Sequence, residues 1–297
     1  MAAATPEPTA TEQQLQRLLR WLEYWSPVPE EPDWSASAFQ WRKRKVLGSE
    51  HAQLVAVRRI AAIAPEDLLG VDAQKAEILR NTEQFVRALP ANNVLLTGAR
   101  GTGKSSLVRA CLHRYGARGL RLIEVDKSDL VDMPLIADRV ADRPERFIVF
   151  CDDLSFEPAD ASYKALKAAL DGSVAASASN LLIYATSNRR HLMPESMREN
   201  LAARYDEEGE LQPAEAAEEK VSLSERFGMW LTFRPFRQED YLDIVAHWLA
   251  RFRLDEKAIA AARVDALQYA LLRGSRSGRV ATQFARDYAG RQGLAKL

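Results

Sequence analysis

From about residue 65 onward, short continuous apolar runs alternate with stretches where apolar residues recur every three or four positions. After Pro65, Ile78, Leu79, Phe85, Val86 and Leu89 share one side of a helical stretch, which Pro90 and two asparagines stop. Val94–Thr97 follows as a short buried strand, then a loop with three glycines, then a helix carrying Leu107, Val108, Cys111 and Leu112. Leu120–Val125 reads as a second buried strand and Pro134–Ala141 as a short helix closed by Asp142-Arg143-Pro144. Phe147–Cys151 is an apolar run of strand length; a helix over Tyr163–Leu170 leads to the strand Leu181–Thr186. Met229–Phe233 is a fifth strand. Beyond Pro235 the pattern is purely helical, over Tyr241–Phe252, Glu256–Leu272 and a last helix from about Arg279. Apolar strands alternating with helices belong to a parallel sheet covered on both faces, so the expected class is α/β with a C-terminal α-helical subdomain.

The N-terminal part has another texture. Residues 1–14 are small, polar and proline-containing, and are expected to be disordered. Leu15, Leu18, Leu19 and Leu22 then fall on one helical face, with Trp21 and Trp25 nearby, before Pro27, Pro29 and Pro32 make a stiff connector. Phe39-Gln-Trp41-Arg42-Lys43-Arg44-Lys45 is a basic run behind aromatics. It reads either as part of a small helical cap with its aromatics packed on the main domain, or as a nucleic-acid docking surface combining stacking with charge. The cap is the preferred reading, because one charge run is weak support for a binding surface. Residues 206–219 carry seven acids and little apolar content, which predicts an exposed, mobile insertion, with binding of a basic partner as the alternative. The expected organisation is therefore an N-terminal tail and helical segment (1–60), an α/β core (61–236, with 206–219 as the insertion) and a C-terminal α-helical subdomain (237–297).

Composition narrows the function classes. Basic and acidic residues balance at 41 each, so no global charge bias points to nucleic acid or membrane, although a local patch is compatible with this. Cys111 and Cys151 both lie in apolar runs, which implies no disulfide framework and fits a reducing compartment. The four histidines are scattered without ligand spacing, so a metal site built from protein ligands alone is not expected. There is no apolar leader and no run of transmembrane length; a cytoplasmic protein is expected.

The chemistry concentrates after the first strand. Gly98-Ala99-Arg100-Gly101-Thr102-Gly103-Lys104-Ser105-Ser106 is G-x-x-x-x-G-K-[ST] in its required strand–loop–helix setting. Glycines let backbone N–H groups curl around phosphates, and the helix N-terminus adds a favourable dipole. Lys104 is expected to reach the β- and γ-phosphates and the Ser105 hydroxyl to ligate Mg²⁺. The strand ending in Asp152-Asp153 supplies what a magnesium–nucleotide site needs: Asp152 to hold Mg²⁺ directly or through its waters, and Asp153 to orient or deprotonate the attacking water. Asn188, at the end of the strand expected beside the phosphate-loop strand, is placed to position that water or touch the γ-phosphate. Arginines at the γ-phosphate stabilise charge in phosphoryl transfer. Arg279, at the start of the last helix, is a candidate from the same chain. Arg226, in Ser224-Glu225-Arg226-Phe227-Gly228, is a candidate for a neighbouring subunit, with Arg189 and Arg190 competing for that role.

In this order the pieces resemble the AAA+ ATPase superfamily, from about residue 65 to the end. Gly98–Ser105 is similar to Walker A, Phe147–Asp153 to Walker B, Asn188 to sensor 1, Arg226 to the arginine finger and Arg279 to sensor 2; Leu69-Gly70-Val71 resembles the adenine-side segment. The phrases Phe150-Cys-Asp-Asp-Leu-Ser-Phe-Glu157, Tyr184-Ala-Thr-Ser-Asn-Arg-Arg-His191 and Arg276-Ser-Gly-Arg279 resemble, more specifically, a bacterial AAA+ family classed as a domain of unknown function. The resemblance implies a five-stranded parallel sheet, ATP and Mg²⁺ bound between core and lid, and a homo-oligomer acting on a macromolecular partner, protein or nucleic acid. It implies no particular substrate. The chain departs from the superfamily in having Asp153 where Glu is usual, which implies slow water activation or a contribution from Glu157. Where a polypeptide-threading unfoldase carries an aromatic–apolar–Gly loop it has Lys127-Ser-Asp-Leu130, which weighs against that role. The expected function is a Mg²⁺-dependent ATPase driving assembly or remodelling, with a loader- or initiator-like nucleic-acid protein and a nucleotide switch with little hydrolysis as alternatives.

Overall fold

The computed structural model describes residues 11, 14–18, 31–46, 49–60, 63–156, 160–171, 179–188, 204–205, 211–212 and 225–294. Residues 14–18 are helical; Leu19, Trp21, Leu22 and Trp25, the rest of the expected helical face, lie outside the described residues, as do most of residues 1–14. The rest of the described chain forms one central sheet, helices on both its faces, a separate short two-stranded sheet, and a helical lid.

The five strands expected from the apolar runs all form: β3 (Val94–Gly98), β4 (Leu120–Glu124), β5 (Arg146–Cys151), β6 (Leu181–Ser187) and β9 (Met229–Phe233). They pair in parallel in the order β4-β5-β6-β3-β9. The alternation along each strand divides the core. Val94 and Leu96 join a cluster with Ile148, Phe150, Leu107 and Val108 on one face, while Leu95 joins Val149, Ile183, Ile136 and Leu166 on the other. The first face is covered by α1 (Asp72–Val86) and α2 (Lys104–Tyr115), the second by α3 (Met133–Val140) and α4 (Ala161–Leu170). Tyr184, buried under α1, keeps its hydroxyl satisfied by Asn81 Nδ2 at 3.0 Å and Thr82 Oγ1 at 2.9 Å.

The sheet is larger than expected. β1 (Ala38–Val46) and β2 (Ser49–Ala56) form an antiparallel hairpin whose first strand pairs in parallel with β4, giving seven strands in the order β2-β1-β4-β5-β6-β3-β9. The helical reading of residues up to 60 is thus corrected over 38–56. Phe39 and Trp41 alternate with Gln40 and Arg42, the period of a half-buried strand. Both aromatics are buried, and Trp41 Nε1 donates to Asp132 Oδ2 at 2.9 Å. The aromatics pack on the main domain as the cap reading required, but through a strand, and the charges of Lys43 to Lys45 obscured the alternation. Within the acidic stretch 206–219 only Leu211–Gln212 (β8) is described, paired with Arg204–Tyr205 (β7); the rest of that stretch, Glu157, Arg189 and Arg190 lie outside the described residues.

The lid is α5 (Gln238–Arg251), α6 (Glu256–Leu272) and α7 (Gly278–Leu294). Ala262, Ala266 and Ala270 lie one turn apart on the buried side of α6, and these small side chains permit close approach, so that the Tyr241 hydroxyl of α5 reaches the Ala266 carbonyl at 3.1 Å. Among the described residues no helix is long and apolar enough to cross a membrane.

Cys111 and Cys151 are free and fully buried, and burial pushes both thiols up to about 12. Thiolate is the reactive form. Both are therefore expected to resist a thiol reagent such as Ellman's at pH 8 in the folded protein and to react together, at full stoichiometry, once urea unfolds it. Rapid labelling of either in the native state would contradict this packing.

Candidate functional site

The glycine loop is set by backbone demands that only glycine meets. Gly98 (φ 124°), Gly101 (φ 73°) and Gly103 (φ 96°) are all in the left-handed region. Gly98 is the most constrained, because a Cβ there would lie 2.0 Å from the Phe233 carbonyl oxygen of β9. The Thr102 hydroxyl donates to the Ala99 carbonyl at 2.8 Å and stiffens the turn. Gly103 caps α2 with no side-chain hydrogen bond, so the first N–H groups of the helix, at Lys104, Ser105 and Ser106, have no capping side chain. That is the arrangement that receives an anion.

Lys104 is buried. Its ammonium donates to the carbonyls of Gly98 and Ala99, both at 2.8 Å, and to Asn188 Oδ1 at 3.0 Å. Desolvation lowers its pKa, opposed by the nearby carboxylates of Asp152 and Asp153. Those acids end β5, the strand next to β6, while β6 pairs directly with β3; the topology thus brings loop, acids and Asn188 to one edge. Asn188 Nδ2 donates to Asp153 Oδ1, so its amide spans the lysine and the acid, with oxygen toward the cation and nitrogen toward the anion. The Ser105 hydroxyl donates to Asp152 Oδ1 at 2.6 Å. A serine hydroxyl and a carboxylate this close suit a hard cation that also binds phosphate oxygens, so the residues fit Mg²⁺. Among the described residues no cluster of three or more His, Cys, Asp or Glu side chains could hold a metal alone.

One residue of the site was missed by sequence reasoning. The Thr186 hydroxyl donates to Asp152 Oδ1 and accepts the Asp153 backbone N–H at 2.9 Å. It thereby supports Asp153 in a left-handed conformation (φ 56°) that non-glycine residues rarely adopt. The signal was present: Thr186 stands two residues before Asn188, on the same side of the strand by the period-two rule.

The remaining sequence candidates sort into two groups. Arg279 lies beside the loop. A Cβ on Gly101 would sit 3.5 Å from Arg279 Cβ, and the Gly278 N–H donates to the Gly101 carbonyl at 2.8 Å, tying lid to loop. On the other flank, a Cβ on Gly103 would lie 3.6 Å from Leu68, which leads into Leu69-Gly70-Val71; Val71 is buried, and Gly70 (φ 73°) turns against the Phe236 ring. Arg226 is not part of this group. It is ion-paired with Asp171 at the C-terminal end of α4.

A family model described as "Protein of unknown function (DUF815)" matches residues 35–292. The chain belongs to the DUF815 family. No curated protein matches it. Among solved structures, it is similar to the Holliday junction branch migration motor RuvB of Thermotoga maritima, with TM-score 0.51, 15% identity, and coverage of 75% of this chain and 63% of that one. A point mutant of the same RuvB gives TM-score 0.54 at 14% identity, covering 79% of this chain and 67% of that one. The Aeropyrum pernix ORC1 protein, solved in complex with DNA, gives TM-score 0.48 at 16% identity, covering 72% and 58%. This DUF815 chain thus spans less than two thirds of the length of the RuvB chain. At such identity the likeness establishes the fold: this DUF815 member has the AAA+ P-loop architecture, with two further strands beside β4.

Thr186→Val would leave the Asp153 N–H without its hydroxyl partner and remove a donor from Asp152. Loss of such a partner costs about 1–3 kcal/mol. Urea unfolding should register that loss, and Thr186→Ser should recover most of it; equal stability of Thr186→Val and wild type would show that the bridge contributes nothing.

Proposed function

We propose that this protein is a Mg²⁺-dependent ATPase whose nucleotide cycle drives assembly or remodelling of a macromolecular partner, and that it works as a homo-oligomer. The observation that carries this reading is the Asn188 amide joined at once to Lys104 and Asp153. A lysine for phosphate and a carboxylate for water must be held in fixed relation for hydrolysis, and a single side chain holds them so.

The residue roles follow from position. The loop N–H groups and Lys104 bind the phosphates, with Lys104 exchanging loop carbonyls for phosphate oxygens. Ser105 and Asp152 would hold Mg²⁺, which when bound neutralises charge on the phosphate oxygens. Asp153 accepts a proton from, or orients, the attacking water while Asn188 fixes its direction. Arg279 offers its guanidinium from the lid of the same chain. Arg226 offers one to a neighbouring subunit after leaving Asp171. Leu69-Gly70-Val71 flanks the base. A nucleotide switch with little turnover is the second reading. It is favoured by Asp153, whose side chain is one methylene shorter than glutamate and is already engaged by Asn188.

Steady-state ATP hydrolysis measured against protein concentration separates the two. For the ATPase, turnover rises cooperatively with concentration and falls at least about a hundredfold in Asp153→Asn, as expected for loss of a general base. Tight ATP binding with no turnover at any concentration would favour the switch. Lys104→Ala should abolish ATP binding, and its retention would refute the site itself. Arg226→Ala should leave ATP binding intact and slow turnover at concentrations that promote assembly; unchanged turnover would remove Arg226 from the mechanism.

A further inference from the structure

The β1–β2 hairpin outruns the strand that anchors it. β1 pairs with β4 only over Ala38–Gln40, but with β2 from Phe39 to Val46. The part beyond Gln40 is a two-stranded ribbon extending roughly 20 Å, at about 3.3 Å per residue.

The two faces of this ribbon differ in kind. On one, Phe39 and Trp41 are buried and Lys43 is neutralised by Asp129 and Asp132 at 3.3 and 2.9 Å. The other carries Gln40, Arg42 and Arg44 of β1 opposite Val55, Gln53 and His51 of β2. Arg42 and Arg44 are exposed, and Arg42 Nε donates to Gln40 Oε1 at 2.9 Å on the same face. None of these six residues is acidic, in a chain whose charges balance to zero overall. Glu50 takes the register position opposite Lys45 instead, out of phase with this face.

We propose that this ribbon face docks duplex DNA, with Arg42 and Arg44 on phosphates and Gln40, Gln53 and His51 toward the groove. The chemistry selects this partner. Two adjacent guanidiniums with no acid among them complement a phosphate backbone. A two-stranded ribbon fits the B-form major groove, about 12 Å wide, whereas the A-form major groove is too narrow for side chains to read. Single strands are captured by stacking on exposed aromatics, and here Phe39 and Trp41 are 0% and 3% exposed, so that mode is closed. The inference names the partner class for the proposed ATPase and rests on that reading only for what ATP hydrolysis would do to the bound duplex.

Binding is tested on the full chain by fluorescence anisotropy with a labelled duplex of about three helical turns, at about 50 and about 200 mM salt. Wild type should bind, weakening roughly tenfold or more across that range. Arg42→Glu with Arg44→Glu should weaken binding at low salt by at least about tenfold. Lys257→Glu with Arg286→Glu makes the same charge change on exposed lid positions and should stay within about twofold. Retained thermal melting and ATP binding confirm that each variant is folded; if the glutamate pair does not fold, Arg42→Gln with Arg44→Gln replaces it. Binding is measured without nucleotide, so failure of the ATPase reading leaves this result standing. No duplex binding, equal loss in both charge-reversed variants, a preference for single-stranded DNA, or binding to phosphatidylserine vesicles in place of duplex would each overturn the proposal.

Discussion

The site depends on how β3 is seated. Val94–Thr97 pair with β6 on one side and Val94–Gly98 with β9 on the other, and the chain must then leave the sheet through a glycine at Gly98 because the Phe233 carbonyl occupies the space of any Cβ. That exit directs the loop back over the strand ends and starts α2 there. Pairing with β6 delivers Asn188 beside the loop, and pairing of β6 with β5 delivers Asp152 and Asp153. Residues separated by more than eighty positions thus reach hydrogen-bonding distance with no special loop to fold them together. The buried apolar alternation of three parallel strands does it, and the Lys104–Asn188–Asp153 contact is what that register produces.

Much of this was legible in the amino-acid sequence because the decisive elements are strongly patterned. Val94–Thr97, Phe147–Cys151 and Leu181–Thr186 are continuous apolar runs, and such runs in a parallel sheet admit few alternatives. Walker A is a local motif in which glycine spacing dictates backbone shape. Two features were less legible, for different physical reasons. The hairpin at 38–56 hides its period-two signal under consecutive charges: Lys43 faces the side on which Asp129 and Asp132 neutralise it, and no local pattern reveals a partner almost ninety residues away. Thr186 is a small polar residue inside an apolar strand. Its importance arises only once β5 and β6 are adjacent, since both of its contacts cross between them.

Arg226 illustrates the distance between a motif and its geometry. The Arg-Phe-Gly setting is readable from sequence, and Phe227 is buried as an anchor for it, yet the guanidinium is ion-paired to Asp171 within its own chain. Exposed ion pairs are worth little, about 0–1 kcal/mol, so this one constrains the arginine's resting position without locking it there. Membership of DUF815 and the AAA+ architecture describe the family and the fold; the added hairpin beside β4 is the part in which this chain departs from the sheet its pattern led one to expect.

The lid meets the phosphate loop through main chain, at the bond from the Gly278 N–H to the Gly101 carbonyl. A backbone contact cannot be relaxed by a rotamer change, so a shift of α7 is felt as a shift of the loop. Loop shape and lid orientation then behave as one coordinate seen from two ends. By thermodynamic reciprocity, a ligand of the loop and a ligand of the lid that each prefer one orientation would change one another's affinity by the same factor. Whatever sets the position of α7 therefore bears on the shape of the loop as well, and the link can be followed from either side.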